Sequence, residues 1–147
     1  MSKLILFVCT GNTCRSPMAE YYFNYKSGSD KAISRGIYAE NNNLMALNAR
    51  QTLLDNNIIA SIGGIPHKPA QIDAEIMGRA DLIYGITENH AAVLRANYPE
   101  YAGKIFAAPE NIGDPYGGGL EIYAECFGKI KAAVDIILAD LREDKYV

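Results

Sequence analysis

The sequence is poor in the residues that build metal sites and disulfide frameworks. It has two histidines, His67 and His90, and three cysteines, Cys9, Cys14 and Cys126, in 147 residues. Cys9 and Cys14 do not stand at C-x-x-C spacing, and two histidines are too few to complete a zinc site, so no metal is expected. The odd cysteine count argues against a secreted disulfide scaffold. No apolar run approaches the roughly 18 residues needed to span a bilayer. The run near the N-terminus, Leu4 to Val8, is also too short for a secretory core. A formal net charge of −3 gives no sign of a nucleic-acid partner. Repeats, low-complexity tracts and linker composition are missing as well. The expectation is a soluble cytoplasmic chain with reduced thiols, with no membrane, nucleic-acid, metal or cofactor partner, folded as one domain over residues 1–147.

What is present is an alternation of strand and helix patterns. Leu4 to Val8 is a continuous β-rich run ended by Gly11 and Asn12, as in a strand buried on both faces. Ser16-Pro17 gives a helix start and Gly28 a stop. Lys31 to Tyr38 reads as a second strand, followed by the polar loop Asn41-Asn42-Asn43. A helix is expected from about Leu44 to Asp55, with Leu47, Ala49, Leu53 and Leu54 as core positions. Gly63-Gly64, Pro66 and Pro69 mark a loop around His67. A short helix over Ile72–Arg79, a strand over Ala80–Ile86, a helix over Glu88–Asn97 and a short strand over Lys104–Ala107 follow. Leu120 to about Glu143 reads as a long amphipathic helix. This order favours an open α/β fold with about four parallel strands covered by helices on both faces. Ligands in such sheets sit beyond the carboxyl ends of the strands.

The loop at that end reads Cys9-Thr10-Gly11-Asn12-Thr13-Cys14-Arg15-Ser16-Pro17. A backbone curled between Cys9 and Arg15 can turn successive N–H groups inward as an anion nest. The helix start adds free donors and its positive dipole end. Gly11 is expected to supply backbone freedom. The field that holds a phosphate also favours a thiolate at Cys9, and Arg15 can grip two phosphate oxygens with its donor fork. Neither G-x-x-x-x-G-K-[ST] nor G-x-G-x-x-G matches. Singly, these residues have plainer readings, a structural cysteine or a capping serine; the whole string after an apolar strand points to phosphate chemistry.

Displacement from a monoester leaves an atom that needs a proton. Asp114, in the loop Asp114-Pro115-Tyr116-Gly117-Gly118-Gly119, is the acid expected to supply it. Alone, that string is ordinary turn chemistry.

Cys9-x5-Arg15-Ser16, followed about a hundred residues later by Asp114-Pro115-Tyr116-Gly117, resembles the low-molecular-weight protein tyrosine phosphatases over the whole chain. The resemblance implies a Rossmann-like phosphatase fold and a two-step reaction on phosphorylated protein side chains through a phospho-cysteine. It implies Cys9 as nucleophile, Asp114 as acid then base, and the segment Thr10, Gly11, Asn12, Thr13, Cys14, Arg15 and Ser16 as the phosphate cradle. Ser16 would steady the thiolate, and Asn12, Ser34 and His67 would fix the loop. Cys14 would form a reversible disulfide under oxidation. The family commonly has an arginine before the glutamine matched by Gln71; here it is Ala70.

Thr13 stands where tyrosine-specific members carry a larger aliphatic residue. That resembles the protein arginine phosphatases of the family and slightly favours phosphoarginine over phosphotyrosine. Tyr116 suits either, as an aromatic wall for a phenyl ring or a guanidinium, and Tyr38 is expected as a further wall. Cys126 reads as core, and Glu20 and Glu40 as solvated charges. An arsenate reductase on this scaffold would need a relay of further cysteines, which Cys126 alone does not supply. A non-catalytic phosphate-binding module would not need both a nucleophile and an acid.

Overall fold

The structure is a computed structural model and describes residues 2–40 and 42–143. Asn41 of the expected polar loop, and Met1 and residues 144–147 of the expected domain, lie outside the described residues. The elements are β1 (Leu4–Cys9), α1 (Arg15–Lys26), β2 (Lys31–Gly36), α2 (Leu47–Asp55), β3 (Ser61–Ile62), β4 (Ile65–Pro66), α3 (Ala74–Arg79), β5 (Leu82–Gly85), α4 (Glu88–Asn97), a 3₁₀ turn (Pro99–Lys104), β6 (Ile105–Ala107) and α5 (Leu120–Arg142). Four strands form one parallel sheet in the order β2-β1-β5-β6.

The apolar run at the start of the chain becomes the interior strand β1 because both of its faces are covered. Ile5 and Phe7 join Phe23 of α1, Leu53 of α2 and Phe127, Ile130, Val134 and Ile137 of α5 on one side. Leu6 and Val8 meet Ile76 and Met77 of α3, Ile83 of β5, Leu94 of α4 and Ile105 of β6 on the other. The helical spacing of the buried α5 residues from Tyr123 to Leu138 gives that helix its core stripe. The expected α/β architecture, with helices on both faces, is therefore the observed one.

Three expectations need correction. The helix placed from Leu44 begins at Leu47, because the Ala46 amide is drawn away to the Thr13 carbonyl at 2.9 Å and Ala46 itself is extended. Leu47 and Leu54, read as core, are exposed, whereas Ala49 and Leu53 are buried. The segment around His67 is not a plain loop. Gly63 and Gly64, both at positive φ, close a two-residue hairpin turn between β3 and β4. Pairing of the His67 amide with the Ala60 carbonyl then fixes where that histidine stands.

One contact ties the sheet to the loop after β1. A Cβ placed on Gly36, at the end of β2, would lie 2.7 Å from the Thr10 carbonyl oxygen and 3.0 Å from the Asn12 nitrogen. Only a glycine lets β2 lie flush behind that loop. Gly36→Ala is expected to lower the unfolding free energy by about 1–3 kcal/mol in a urea titration. An unchanged midpoint and slope would show that the loop yields freely.

Candidate active site

The loop between β1 and α1 is held by its carbonyls. Those of Cys9 and Thr10 accept from the amides of Ile37 and Tyr38, at 3.0 and 2.8 Å. The Asn12 carbonyl accepts from His67 Nε2 at 3.0 Å. Those of Thr13 and Cys14 accept from Ala46 and Met18. With the carbonyls turned outward, the amides face the other way. Among the described residues, none from Thr10 to Arg15 donates to a protein acceptor. Helix α1 starts there with no side-chain cap and no acidic residue in its first turn. Uncapped donors at a positive helix end form an anion site.

Asn12 makes this shape. Its φ of 58° is in the left-handed region, so the expected freedom of Gly11 is a correction: Gly11 is not among the glycines at positive φ. The Asn12 side chain locks the conformation. Its Nδ2 donates to Ser16 Oγ and Ser34 Oγ, both at 2.9 Å, and its Oδ1 accepts from the Ala70 amide at 3.0 Å. Ser16 Oγ accepts from Asn12 and lies 2.8 Å from Cys9 Sγ, with the Arg35 carbonyl a second, longer acceptor for its proton at 3.5 Å. The closer partner, the sulfur, is the one the hydroxyl can serve as donor when the thiol has lost its proton. Gln71 braces the adjoining segment, accepting from the Ala39 amide and donating to the Ile37 carbonyl.

Glu20 is the second correction. It is not a solvated charge but 5% exposed, accepting from Ser34 Oγ at 2.6 Å. It lies one helical turn beyond Ser16, on the face that meets the loop. Burial, outweighing the Ser34 hydrogen bond and Arg35, pushes its carboxyl up to about 7. Burial, with the charge of Arg35, lowers His67 against the pull of the Asn12 carbonyl. Glu20 Oε1 and His67 Nδ1 approach to 4.0 Å. Both are driven towards their neutral forms, so near neutral pH this is not a standing salt bridge.

Sequence reading also missed His90. It occupies the third position of a capping box at the start of α4. Its Nδ1 accepts the Thr87 amide at 3.2 Å, which leaves Nε2–H to donate to Thr10 Oγ1 at 3.0 Å. Burial, helped by Arg15, lowers it to about 4, so it stays neutral and keeps that tautomer. The spacing Thr87-x-x-His90 after a strand was the available signal.

A cavity of about 230 Å³ opens over the loop, lined by Cys9, Thr13, Cys14, Arg15, Asp114 and Tyr116, with Thr10 and Gly11, and with Asn43, which the sequence did not single out. Arg15 is buried, donates to the Ile112 carbonyl at 3.2 Å and stands 3.9 Å from Asp114 Oδ2. Asp114 is more than half exposed, with Oδ1 held by the Tyr116 amide. Tyr38 lines a neighbouring depression that shares Thr10 and Arg15, not the cavity over Cys9 itself. Cys14 donates or accepts at Tyr123 OH, 3.2 Å away, and burial pushes its thiol up. Cys126 is buried, as expected, and lies beside the Gly113 carbonyl. A sulfur, unpaired loop amides, a guanidinium and a carboxyl around one cavity are the kinds of group that displacement at phosphorus uses.

Residues 4–147 match the family described as low molecular weight phosphotyrosine protein phosphatase. The protein-arginine-phosphatase of Bacillus subtilis (strain 168) is 29% identical, over 96% of this chain and 98% of that protein. The solved YwlE arginine phosphatase from Geobacillus stearothermophilus superposes with a TM-score of 0.89 at 28% identity, covering 97% of this chain and 95% of that one. The low molecular weight protein tyrosine phosphatase from T. tengcongensis superposes with a TM-score of 0.87 at 34% identity, covering 95% and 99%.

The raised Glu20 carboxyl has a consequence for stability. Its neutral form favours the fold fully below the ordinary carboxyl value of 4.5, and that contribution is lost as pH rises through about 7. Replacing Glu20 with Gln keeps an acceptor for Ser34 and removes the titration. The stability of wild type minus Glu20→Gln, from urea unfolding at pH 4.5 and pH 8, is expected to fall by about 2–3 kcal/mol over that interval. A flat difference would show that Glu20 ionises without cost.

Proposed function

The chain belongs to the low molecular weight phosphotyrosine protein phosphatase family, and we propose that it works through a covalent phospho-cysteine at Cys9. The Cys9 thiolate attacks phosphorus in line with the leaving atom. The bond from phosphorus to that atom breaks with its electron pair, and Asp114 supplies the proton. The three equatorial oxygens lie among the free amides of Thr10 to Arg15 and the Arg15 guanidinium. Water then attacks phosphorus, Asp114 takes its proton, and the S–P bond breaks to return the thiolate, which accepts the Ser16 hydrogen bond. The observation that carries this reading is the inverted loop: carbonyls bonded outward, amides left free, and a hydroxyl 2.8 Å from the sulfur. The spread of positive charge supplies what this transfer requires of the protein. No helix among the described residues is long and apolar enough to cross a membrane, and the reading places the chain in the cytoplasm, where thiols stay reduced.

Phosphoarginine is the favoured substrate on a protein, with phosphotyrosine the second reading. Thr13 lines the cavity over Cys9 and brings a hydroxyl that can accept from a guanidinium. It also leaves more room than a longer aliphatic side chain. The named arginine phosphatases among its relatives support the same choice. Cys14 guards the nucleophile: if peroxide oxidises Cys9 to a sulfenic acid, the Cys14 thiol condenses with it to a disulfide and releases water.

Cys9→Ser is expected to abolish turnover of an aryl phosphate while retaining phosphate binding by calorimetry. Asp114→Ala should slow the same reaction by roughly 10²–10⁴ with an unactivated leaving group. Turnover surviving in Cys9→Ser would defeat the covalent route. In a side-by-side assay on phosphoarginine and phosphotyrosine peptides, wild type should prefer the former. Thr13→Ile should shift the ratio towards phosphotyrosine by about tenfold or more. Equal losses on both peptides would end the selector role of Thr13.

A further inference from the structure

The loop after β1 meets α4 through the side chains of Thr10 and His90. Strand β5 pairs with β1 in parallel, so the loops that leave their carboxyl ends lie side by side. A Cβ on Gly85 would meet the Ala91 nitrogen at 2.5 Å, so α4 is seated close enough for His90 to reach across. Both ring nitrogens of His90 are committed. Nδ1 faces the Thr87 amide at 3.2 Å and the Thr87 hydroxyl at 2.9 Å. An amide proton there admits only an unprotonated Nδ1. The ring proton therefore stands on Nε2, 3.0 Å from Thr10 Oγ1. Burial, with Arg15 nearby, keeps the ring neutral.

Thr10 Oγ1 is thus an acceptor for His90, and its own proton is left to donate elsewhere. Among the described residues, no other side chain or carbonyl is bonded to that oxygen. Thr10 is exposed and lines both the cavity over Cys9 and the neighbouring one of about 430 Å³. Arg15 is the other residue common to the two. A hydroxyl with a spare proton therefore shares its place with the guanidinium, at the edge of a site suited to an anion.

We propose that His90 is a positioning residue: by holding Thr10 Oγ1 as an acceptor, it turns the Thr10 proton into the cavity, where it donates to an oxygen of the bound phosphoryl group. The inference rests on the phosphatase reading and adds one side-chain donor to the main-chain amides of the loop. His90 lines the neighbouring cavity and not the one over Cys9, so it acts through Thr10. A neutral N–H orients the hydroxyl without adding a charge beside Arg15. A cation in its place would repel the guanidinium and compete with it for the phosphate.

The test measures kcat/KM on para-nitrophenyl phosphate. Thr10→Val keeps the side-chain shape, removes the hydroxyl and leaves α4 untouched. Its kcat/KM should fall by roughly 10- to 100-fold, the scale of one hydrogen bond to a charged group. Thr10→Ser should keep most of the activity. His90→Phe should lose about as much as Thr10→Val. His90→Gln should recover it, because one side-chain amide can accept from the Thr87 amide and donate to Thr10. In the double variant Thr10→Val, His90→Phe the two losses should not multiply. Multiplied losses would show that His90 serves only to cap α4, and the proposal then fails. It fails as well if Thr10→Val matches wild type, or if His90→Gln is as slow as His90→Phe. The two Thr10 variants and His90→Gln decide the matter even where His90→Phe does not fold. No turnover by wild type would instead overturn the phosphatase reading itself.

Discussion

The site depends on one residue held in a conformation that most side chains avoid. A left-handed backbone costs an L-residue about 1–2 kcal/mol, and Asn12 adopts it at φ 58°. Its amide side chain and its own carbonyl offset that cost through bonds to Ser16, Ser34, Ala70 and His67. Around this turn the carbonyls of Cys9, Thr10, Asn12 and Thr13 all find partners outside the loop. The reversal of the backbone, the free donors and the place of the Ser16 hydroxyl meet in that one constraint.

That constraint is placed by the sheet. Strand β1 is buried on both faces and ends at Cys9, so that side chain leaves directly from the core of the sheet. Gly36 lets β2 lie flush against the loop, and Gly85 does a similar service for α4. A Cβ on Gly85 would lie 2.5 Å from the Ala91 nitrogen. The close seating of α4 brings His90 to Thr10. The buried carboxyl of Glu20 closes the far end of the polar chain through Ser34. Buried elements therefore hold Cys9 and Arg15, while exposed side chains such as Tyr116 stand round the cavity.

Much of this was legible in the sequence because it is local. The strand–loop–helix order around Cys9, the bounds of α4 and the parallel sheet follow from periodicity and turn residues within short windows. The loop string and Asp114 stood out by residue type and order, and the fold brings them to one cavity. What was not legible depends on which segment lies behind which. Glu20 looks like any helix-surface carboxylate until β2 covers it with Ser34. The positive φ fell to Asn12 and not to the neighbouring glycine because partners distant in the chain hold its amide. Leu47 stands two positions before Ala49, roughly 200° round α2, so with Ala49 and Leu53 facing the core Leu47 faces water. His90 was counted only as a missing metal ligand, although its position three residues after Thr87 is a capping pattern.

The partners that shape the loop are scattered along the chain. Asn12 reaches Ser34 and Ala70, Thr10 reaches His90, Arg15 reaches Ile112, and Cys14 reaches Tyr123, a separation of 109 residues. Of these links, only the one to Ser34 is available to a fragment that ends after β2, even though Cys9 lies within the first ten residues. A growing chain carries Cys9 from the start, but the links from its loop to His90, Ile112 and Tyr123 form only once α4, the segment before Asp114 and α5 are in place. The shape of the loop is thereby completed only in the finished molecule.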